Sequence, residues 1–418
     1  MYLIRTDADG GTIWTQYYGG PEDDGAYAIQ EHWDGDYLVA GYTNSFGAGG
    51  SDIWILKINA AGDTLWTETY GNAGYDIAYD IAPTSDSGFV ITGGIVPADT
   101  GYAFLMKFDL NCDSCWLTFL DSLGWPGHQG FSVIQTIEDE YMICGMNWLE
   151  HPYTWLAKAD SNGEPLWELS HGAPDNYTCI REIAPDTFVV VGPRFWFCCG
   201  IYVTIRIVNG TGDVIWEKIY TQGFARAVEK TEDGSFVIAG EERELFGPGD
   251  VWLIKTNQDI TLWTTVFGDT NRNDGAYAMQ ITIDDGYIVA GYTESFGQGG
   301  KDVWLLKTEP DTLLGISTNE ITPEICYKIS IHPNPFSRLT EISFSLPGQR
   351  KEAATLSIHD ATGRLVKSFE TASSFEYKVS KVIWDGKDHT DRLLPSGVYF
   401  LRLSAGDYSE TRKLLLIR

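Results

Sequence analysis

Basic residues are scarce in this sequence. Its 418 residues include 29 Lys and Arg against 58 Asp and Glu, which gives a formal net charge of −29. Nucleic-acid phosphates require a basic surface, so this balance argues against a nucleic-acid partner. We interpret the acidic excess as a solvated surface that aids solubility.

Long apolar runs and cysteines are also few. No apolar stretch reaches the length that a helix needs to cross a bilayer, so we expect no transmembrane segment. The seven cysteines are too few for a disulfide scaffold of this length, and their number is odd. Cys112 and Cys115 flank a predicted turn, where we expect a cross-hairpin disulfide. Cys198 and Cys199 form a vicinal pair on a loop, and the remaining pairings stay open.

A leader peptide is not visible either. Met1 is followed directly by YLIRTDADGGTIW, which already reads as a strand, a turn and a second strand. This start in the middle of a repeat predicts a chain that is truncated or trimmed at its N-terminus.

The sequence is instead rich in a repeated strand–turn–strand unit. In Asp52–Gly71 a nearly continuous apolar run is followed by a glycine turn and a strand rich in Thr, Trp and Tyr. The tryptophan of the second strand recurs at spacings of 47 to 52 residues, at Trp14, Trp66, Trp116, Trp167, Trp216 and Trp263. Asp24–Lys57 and Asp274–Lys307 align without a gap at an offset of 250, or five repeats. Such a period is typical of a repeat architecture.

Each repeat predicts four short strands, and one four-stranded sheet cannot bury both of its faces alone. Radial stacking of the sheets solves this problem, so we predict an all-β chain with a β-propeller in residues 1–308. A parallel β-helix is the main rival. Six four-stranded blades result if Thr12–Tyr18 supplies the outer strand of the last blade. A seventh blade that lacks its first half is the alternative, because it would give Tyr2–Thr6 a place.

The remainder of the chain follows a different pattern. Residues 309–327 are predicted to be a linker, and residues 328–418 contain seven short alternating strands that predict a β-sandwich. Several short motifs occur there in order: HPNPF at 332–336, DATGR at 360–364, WDG at 384–386, PSGVYF at 395–400 and the end Lys413–Arg418.

Together these motifs resemble the C-terminal sorting domain of type IX secretion substrates, of the type A class. They are also similar to the immunoglobulin-like domain of flagellar hook-capping proteins. The resemblance implies an Ig-like sandwich, recognition by the type IX secretion machinery, and an extracellular or outer-membrane location. Its motif residues are Pro333, Asn334, Pro335, Phe336, Gly363, Arg364, Trp384, Asp385, Gly386, Ser396, Gly397, Val398, Tyr399 and Lys413.

The loops of the middle repeats gain aromatic residues, and in a propeller these loops share one face. Aromatic side chains on loops often mark a binding surface, and stacking on a glycan or on a protein ligand would suit them. The alternative is that they plug the channel mouth or cover the core. The candidate ligand-binding residues are Trp125, Trp148, His151, Tyr153, Phe195, Trp196 and Phe197.

We expect no cofactor and no metal. Asp23, Asp24, Asp76 and Asp274 precede first strands and could bind calcium, but Asp before Gly is also a common turn residue, and we favour the turn. The sequence contains no HExxH, no GxSxG and no phosphate-cradling loop. A non-catalytic binding or adhesion module is therefore the first hypothesis. A propeller enzyme, either a glycan-active hydrolase or a quinone-dependent oxidoreductase, is the alternative, and a structural spacer is the third.

Overall fold

The computed structural model describes most of the chain. The described residues are 1–417 except 97–100, 110, 112, 121–126, 148–152, 172–175, 197–199, 244–246, 259, 270, 310–327, 333, 335, 346–354, 371–379, 391 and 406–407. These residues are all-β, and they contain no helix that could span a membrane. The chain divides into two compact units, residues 1–321 and 322–418.

The first unit is built from short strands that follow one another as antiparallel hairpins. In chain order they are β1 Tyr2–Thr6, β2 Thr12–Tyr17, β3 Asp24–Glu31, β4 Tyr37–Thr43, β5 Asp52–Ile58, β6 Thr64–Tyr70, β7 Ile77–Pro83, β8 Phe89–Ile95, β9 Tyr102–Phe108, β10 Ser114–Leu120, β11 His128–Gln135, β12 Tyr141–Asn147, β13 Tyr153–Ala159, β14 Pro165–His171, β15 Cys179–Ala184, β16 Thr187–Trp196, β17 Gly200–Asn209, β18 Val214–Lys230, β19 Phe236–Arg243, β20 Gly249–Thr256, β21 Thr261–Phe267, β22 Asp274–Ile281, β23 Tyr287–Thr293 and β24 Asp302–Lys307.

The strands group into blades as the repeat predicts. β3–β6, β7–β10 and β11–β14 are separate four-stranded sheets. The next seven strands form one sheet, because β18 continues without a break from the fourth strand of blade four into the first strand of blade five. Blade six consists of β22–β24 among the described residues.

Burial explains why the blades stack radially. β5 is buried along its whole length, so this sheet is covered on both faces by neighbouring blades. The first strands of successive blades are also neighbours, in the order β3, β7, β11, β15, β18 and β22. Innermost strands that meet in sequence around a common axis, with meanders that extend outward from them, form a β-propeller. The predicted fold class is confirmed.

The repeated tryptophan packs between blades, as its regular spacing suggests. The indole of Trp14 donates a hydrogen bond from Nε1 to Ala60 O at 3.2 Å, and Trp167 donates to Gly210 O at 3.1 Å. Each acceptor belongs to the hairpin turn of the following blade. A glycine of that turn has a positive φ and lies against the indole, as Gly163 does beneath Trp116. The outer strand of one blade therefore packs on the turn of the next.

A second repeated contact involves the lysine of the third strand. Lys57 pairs with Asp34 at 2.5 Å, and Lys107 pairs with Asp86 at 2.8 Å. Each aspartate lies in the turn between the first two strands of the same blade, and Lys255–Asp233 and Lys307–Asp284 repeat the pair. The lysine and the neighbouring His32 hold the pKa of Asp34 at about 2, although burial opposes them. The ion pair ties the turn to the buried third strand.

The pairing of the N-terminal strands differs from the expected closure of a six-bladed ring. Six-blade closure requires Thr12–Tyr18 to extend the last blade, but β2 pairs with β1, and these two strands form a sheet of their own. β24 pairs with β23 alone among the described residues. The β1–β2 hairpin packs on blade one, where Leu3 and Trp14 lie against the buried cluster of Val39, Trp54, Leu56 and Ile58. Its strands thus occupy the places of third and fourth strands, as the seven-blade alternative predicts.

Among its described residues, the second unit contains seven strands, as predicted, in two antiparallel sheets. One sheet has three strands and the other has four, and side chains from both sheets form a single core around Trp384. This is a β-sandwich. The strands are β25 Lys328–His332, β26 Thr340–Ser345, β27 Thr355–Asp360, β28 Leu365–Glu370, β29 Ser380–Trp384, β30 Gly397–Ala405 and β31 Tyr408–Leu416.

The contact between tryptophan and turn gives a stability prediction. A Cβ added at Gly163 would lie 2.4 Å from Cζ3 of Trp116, and φ is +83° there. At Gly234 φ is +81°, but no heavy atom lies within 4 Å of such a Cβ. We expect Gly234→Ala to cost about 1–2 kcal/mol of backbone strain. Gly163→Ala should cost about 1–3 kcal/mol more, because the indole must also move.

Thermal unfolding of both variants, followed by tryptophan fluorescence, tests this difference. Equal losses in Tm would show that the indole yields without cost, and the packing explanation of the repeated Trp–Gly pair would then be wrong.

Candidate ligand site in the channel and the sorting-domain cluster

Most residues of the predicted aromatic surface lie outside the described part of the chain. Trp125, Trp148, His151 and Phe197 lie outside the described residues. Tyr153 begins β13 and Trp196 ends β16, but their side chains are not described. Phe195 lies in β16 opposite Ile201 and is half-buried. The predicted loop surface therefore stays a prediction.

The structure instead brings together a set of residues at the axis of the ring. Five of the six inner strands contain a β-bulge at one repeated position, where one residue is skipped in the pairing with the second strand. A bulge redirects the side chain of the extra residue and often occurs at sites of function. The bulge residues are Tyr27, Tyr79, Phe131, Arg226 and Tyr277.

These bulge residues touch one another from blade to blade. The ring centroids of Tyr27 and Tyr79 are 5.0 Å apart, and those of Tyr79 and Phe131 are 5.2 Å apart, both edge to face. On the other side the Arg226 guanidinium lies 5.8 Å from the ring centroid of Tyr277. Burial, with the neighbouring Tyr27 phenol, raises the pKa of Tyr79 to about 12. We call these five residues the aromatic belt.

Charged residues of the same inner strands form contacts between neighbouring blades. Arg181 of β15 pairs with Glu229 of β18 at 3.0 Å. The Arg181 side chain is 35% exposed. Asp80 of β7 accepts a hydrogen bond from Val133 N of the next blade at 2.9 Å. Burial raises the pKa of Asp80, against the effects of this hydrogen bond and of the Arg181 charge. We call these three side chains the charged belt.

The sequence contained a signal for the aromatic belt. Tyr27, Tyr79, Phe131 and Tyr277 lie three residues after four equivalent positions of the repeat, which are Asp24, Asp76, His128 and Asp274. A strand that alternates strictly would turn this position toward a neighbouring blade. Only the bulge, which depends on the pairing with the second strand, places it at the axis.

The aspartates that precede the first strands serve as turn residues. Asp24 accepts hydrogen bonds from Gly20 N at 2.8 Å and Ser45 Oγ at 2.8 Å. Asp76 accepts from Asn72 N at 2.6 Å and Val96 N at 2.9 Å. These bonds join the loop before the first strand to the loop between the second and third strands, as expected of turn residues.

One acidic cluster among the described residues has the spacing for a metal ion. It consists of Glu138, Glu140 and Asp186. The ammonium group of Lys158 already lies in it, at 2.5 Å from Glu140 and 2.9 Å from Asp186. The two carboxylates raise the pKa of Lys158 despite its burial. A positive charge inside the cluster disfavours a second cation there.

The cysteines can be placed only in part. Cys115 is an exposed free thiol, and Cys144 and Cys179 are buried free thiols. Burial raises the pKa of both buried thiols, which makes them poor nucleophiles. Because Cys115 is a free thiol, the expected cross-hairpin bridge to Cys112 is wrong. Cys112, Cys198, Cys199 and Cys326 lie outside the described residues, so the vicinal pair stays a prediction.

In the second unit, several motif residues meet in one cluster. The ring of Trp384 lies 5.4 Å from Phe336 and 5.5 Å from Tyr399, measured between centroids. Trp384 donates from Nε1 to Lys387 O at 2.9 Å, and Tyr399 donates from its hydroxyl to Pro395 O at 2.8 Å. Both rings are thus buried with their polar atoms satisfied.

The start and the end of this unit are joined by another motif residue. Asn334 donates to Lys413 O at 2.8 Å and accepts from Leu415 N at 2.9 Å. Phe336 adds a short parallel bridge to Leu416. Asn334 and Phe336, which lie between β25 and β26, therefore hold the last strand β31 in place. Pro333 and Pro335 lie outside the described residues.

The remaining motif residues shape turns away from the ring cluster. Gly363 has a φ of +85°, and Asp360 accepts from Arg364 N at 3.1 Å in the same turn. Gly386 has a φ of +70° and accepts from Leu394 N at 3.0 Å. Asp385 accepts from Lys387 N at 3.1 Å, while Ser396, Gly397, Val398 and Lys413 lie at the start of β30 and on β31.

The pKa of Asp80 gives a pH prediction. A carboxyl group whose pKa is higher in the folded state destabilises the fold fully above its folded pKa and not at all below its unfolded pKa. Asp80→Asn removes this effect and keeps an acceptor for Val133 N. We therefore expect a higher Tm than wild type at about pH 7 and an equal Tm at about pH 3.

Asp34→Asn is the control of opposite sign. The pKa of Asp34 is lowered in the fold, so its stabilisation is present above the unfolded pKa and is lost as the pH falls toward about 2. This variant should have a lower Tm at about pH 7. If melting curves over this pH range showed that both substitutions change Tm in the same direction, the raised pKa of Asp80 would be contradicted.

Comparison with known proteins identifies the second unit. Residues 330–417 match the secretion system C-terminal sorting domain. No curated protein matches the chain. Among solved structures, PorZ, an essential bacterial surface component of the type IX secretion system of Porphyromonas gingivalis, is 14% identical, with a TM-score of 0.42 over 98% of this chain. This chain covers 61% of the PorZ chain.

Two other structures share a similarly low identity. The Dos1 propeller is 11% identical over 94% of both chains, with a TM-score of 0.40. A quinohemoprotein alcohol dehydrogenase from Comamonas testosteroni is 10% identical, with a TM-score of 0.40 over 81% of this chain and 66% of that one. The protein combines a β-propeller of sequence repeats with a C-terminal sorting domain of the type IX secretion system.

Proposed function

We propose that the protein is an exported, non-catalytic binding module. In this proposal the sorting domain directs export to the cell surface or the medium, and the propeller binds a ligand at its axis. The observation that supports binding is the aromatic belt, because its rings contact each other in series while Tyr27 and Tyr277 stay more than half exposed. Aromatic rings that remain accessible inside a concave site are a common feature of ligand pockets.

The chemistry of the two belts fits a glycan. Tyrosine and phenylalanine rings offer flat apolar surfaces to the faces of sugar rings, and phenol groups can also form hydrogen bonds. The charged belt adds the guanidinium of Arg181 as donor and the carboxylates of Asp80 and Glu229 as acceptors. Hydroxyl groups on both edges of a sugar could be satisfied by this mixture.

The partner in export is the type IX secretion machinery. The sorting domain supports this assignment, since residues 330–417 match its family. The parts of this domain that the machinery would contact have to be on its surface. Asn334, Arg364 and Lys413 are exposed, while Phe336, Trp384 and Tyr399 are buried and give the domain its shape. Recognition in this proposal therefore depends on the exposed set.

A glycan-active hydrolase is the second candidate. Glycoside hydrolases use a pair of carboxyl groups, one of them with a raised pKa. Asp80 has a raised pKa, and both Asp80 and Glu229 interact electrostatically with Arg181. The pairing of Glu229 with Arg181 at 3.0 Å favours binding over catalysis, because it occupies the second carboxylate. Release of reducing ends from a bound glycan, lost in Asp80→Asn, would favour the enzyme.

The binding proposal predicts a specific loss. Tyr79 contacts the rings on both sides of it in the aromatic belt. Tyr79→Ala should weaken glycan binding on the order of tenfold, because stacking contributes about 1 kcal/mol or more. Tyr79→Phe should keep most of the binding, since the ring remains. A glycan array, followed by calorimetry on the strongest glycan, measures both variants.

Tyr75→Ala is the matched control, because this tyrosine is 66% exposed and does not belong to the belt. It should bind like the wild type. Unchanged binding by Tyr79→Ala, or equal losses in Tyr79→Ala and Tyr75→Ala, would contradict a site in the channel.

The export proposal predicts that the sorting domain directs the export of an unrelated protein fused to it. Residues 328–418, fused behind a leader peptide and a reporter, should carry the reporter to the surface or the medium of a host with type IX secretion. The same fusion without residues 413–418 loses part of β31 and should remain in the periplasm. Fractionation and surface proteolysis measure the location. Retention of the intact fusion in the periplasm would count against the assignment.

A further inference from the structure

A cavity lies between the turns that join the first and second strands of blades one and two. Its volume is about 400 Å³, which is within the range of small-molecule sites. Its lining includes Gln30, His32 and Trp33 from blade one, and Thr84, Ser87 and Phe89 from blade two. The described lining contains no residue of the aromatic belt or of the charged belt. We call this space the junction cavity.

His32 has one ring nitrogen that is paired and one that is not. Nδ1 lies 2.8 Å from Oδ1 of Asp34, and a carboxylate only accepts, so Nδ1 carries a proton and donates it. The more distant Nζ of Lys57, 3.3 Å from Nδ1, pairs with the other oxygen of Asp34 at 2.5 Å. Nε2 is buried without a hydrogen-bond partner among the described residues, in a residue that is 6% exposed. An unpaired buried polar atom is costly, so this nitrogen requires an explanation.

The other blades show that the turn does not need a histidine. Threonine occupies the position of His32 in blades two, three, five and six. Thr84 and Thr231 each donate at 2.6 Å to the aspartate that corresponds to Asp34 in their own turns. A threonine hydroxyl therefore makes the bond to the turn aspartate without adding a second buried polar atom. The imidazole makes the same bond and adds Nε2, which the turn does not require.

The next residue also exceeds what the turn requires. Trp33 is 63% exposed, and its ring centroid lies 5.7 Å from that of His32. The same position is Ser85, Ile137 and Ile283 in blades two, three and six, so the turn forms without a large ring. An exposed indole that lines a cavity offers a flat surface on which the apolar face of a ligand ring can stack.

The polar groups around the cavity indicate the class of ligand. The side chains of Gln30 and Ser87 can both donate and accept hydrogen bonds. The lysines of the two turns already pair with aspartates, and Asp36 adds a second negative charge 3.5 Å from Lys57. This charge balance disfavours an anion. A hydroxyl group suits the site, because it can donate to a neutral imidazole and accept from a charged one.

We propose that the junction cavity binds a neutral sugar residue. One face of the sugar ring stacks on Trp33, one hydroxyl forms a hydrogen bond with Nε2 of His32, and Gln30 and Ser87 bind further hydroxyls. Nε2 is covered in the structure, so a side chain of the lining has to move when the hydroxyl binds, and the exposed Trp33 has room to do so. The site is independent of the channel proposal, because the two sites share no described residue.

NMR titration of the full chain with neutral methyl hexosides tests the proposal. The probes are methyl glucoside, methyl galactoside and methyl mannoside. At least one should bind saturably by saturation transfer and should shift an imidazole ¹⁵N signal that is missing in His32→Thr. The methyl uronide of the same configuration should bind on the order of tenfold more weakly, because its carboxylate meets the acidic turn. The corresponding cationic amino sugar should bind no more tightly than the neutral one.

Chain variants locate the bound sugar. His32→Thr and Trp33→Ser introduce the residues of blade two, so both variants should fold. His32→Thr should weaken binding about fivefold, because one hydrogen bond is lost. Trp33→Ser should weaken it on the order of tenfold, because stacking is lost. Ile137→Ser is the matched control in blade three, where the side chain is 71% exposed, and it should bind like the wild type.

Three results would overturn the proposal. The first is the failure of all three neutral hexosides to bind. The second is tighter binding of either charged analogue, which would contradict the class of ligand. The third is binding that neither His32→Thr nor Trp33→Ser weakens. If Tyr79→Ala weakened that binding instead, with no shift of the His32 signal, the sugar would bind in the channel, so the two proposals fail separately.

Discussion

The contact between an outer-strand tryptophan and the hairpin turn of the next blade organises the propeller. The indole needs a flat surface with a carbonyl to accept its N–H, and a glycine turn offers both. At Gly163 and Gly212 a side chain would collide with Trp116 and with Leu169 or Trp167. Glycine thus serves two purposes there, the positive φ of the turn and the close approach of the neighbouring blade. Among the described residues this contact joins the β1–β2 hairpin to blade one, blade two to blade three, and blade three to blade four. Its recurrence explains why the repeat period is kept.

This arrangement separates packing from function. The outer strands and turns carry the repeated Trp, Gly, Lys and Asp residues that hold blades together. Five of the six inner strands each bring one bulge residue toward the axis, where the surroundings are no longer set by a neighbouring turn. Tyr27, Tyr79, Phe131 and Tyr277 are aromatic there, while Arg226 is charged. Residues free to differ between blades, at a point where all blades meet, are suited to bind a ligand.

The sequence predicted what depends on local pattern. Strand periodicity, the Trp repeat and the ordered motifs of residues 328–418 established the all-β class, the propeller and the sorting domain. The bulges could not be predicted because they depend on the pairing register between two strands. The alternation of residues along a single strand carries no information about that register. The choice between six and seven blades stayed open for the same reason, since Thr12–Tyr18 fits a fourth strand equally well beside β24 or beside β1.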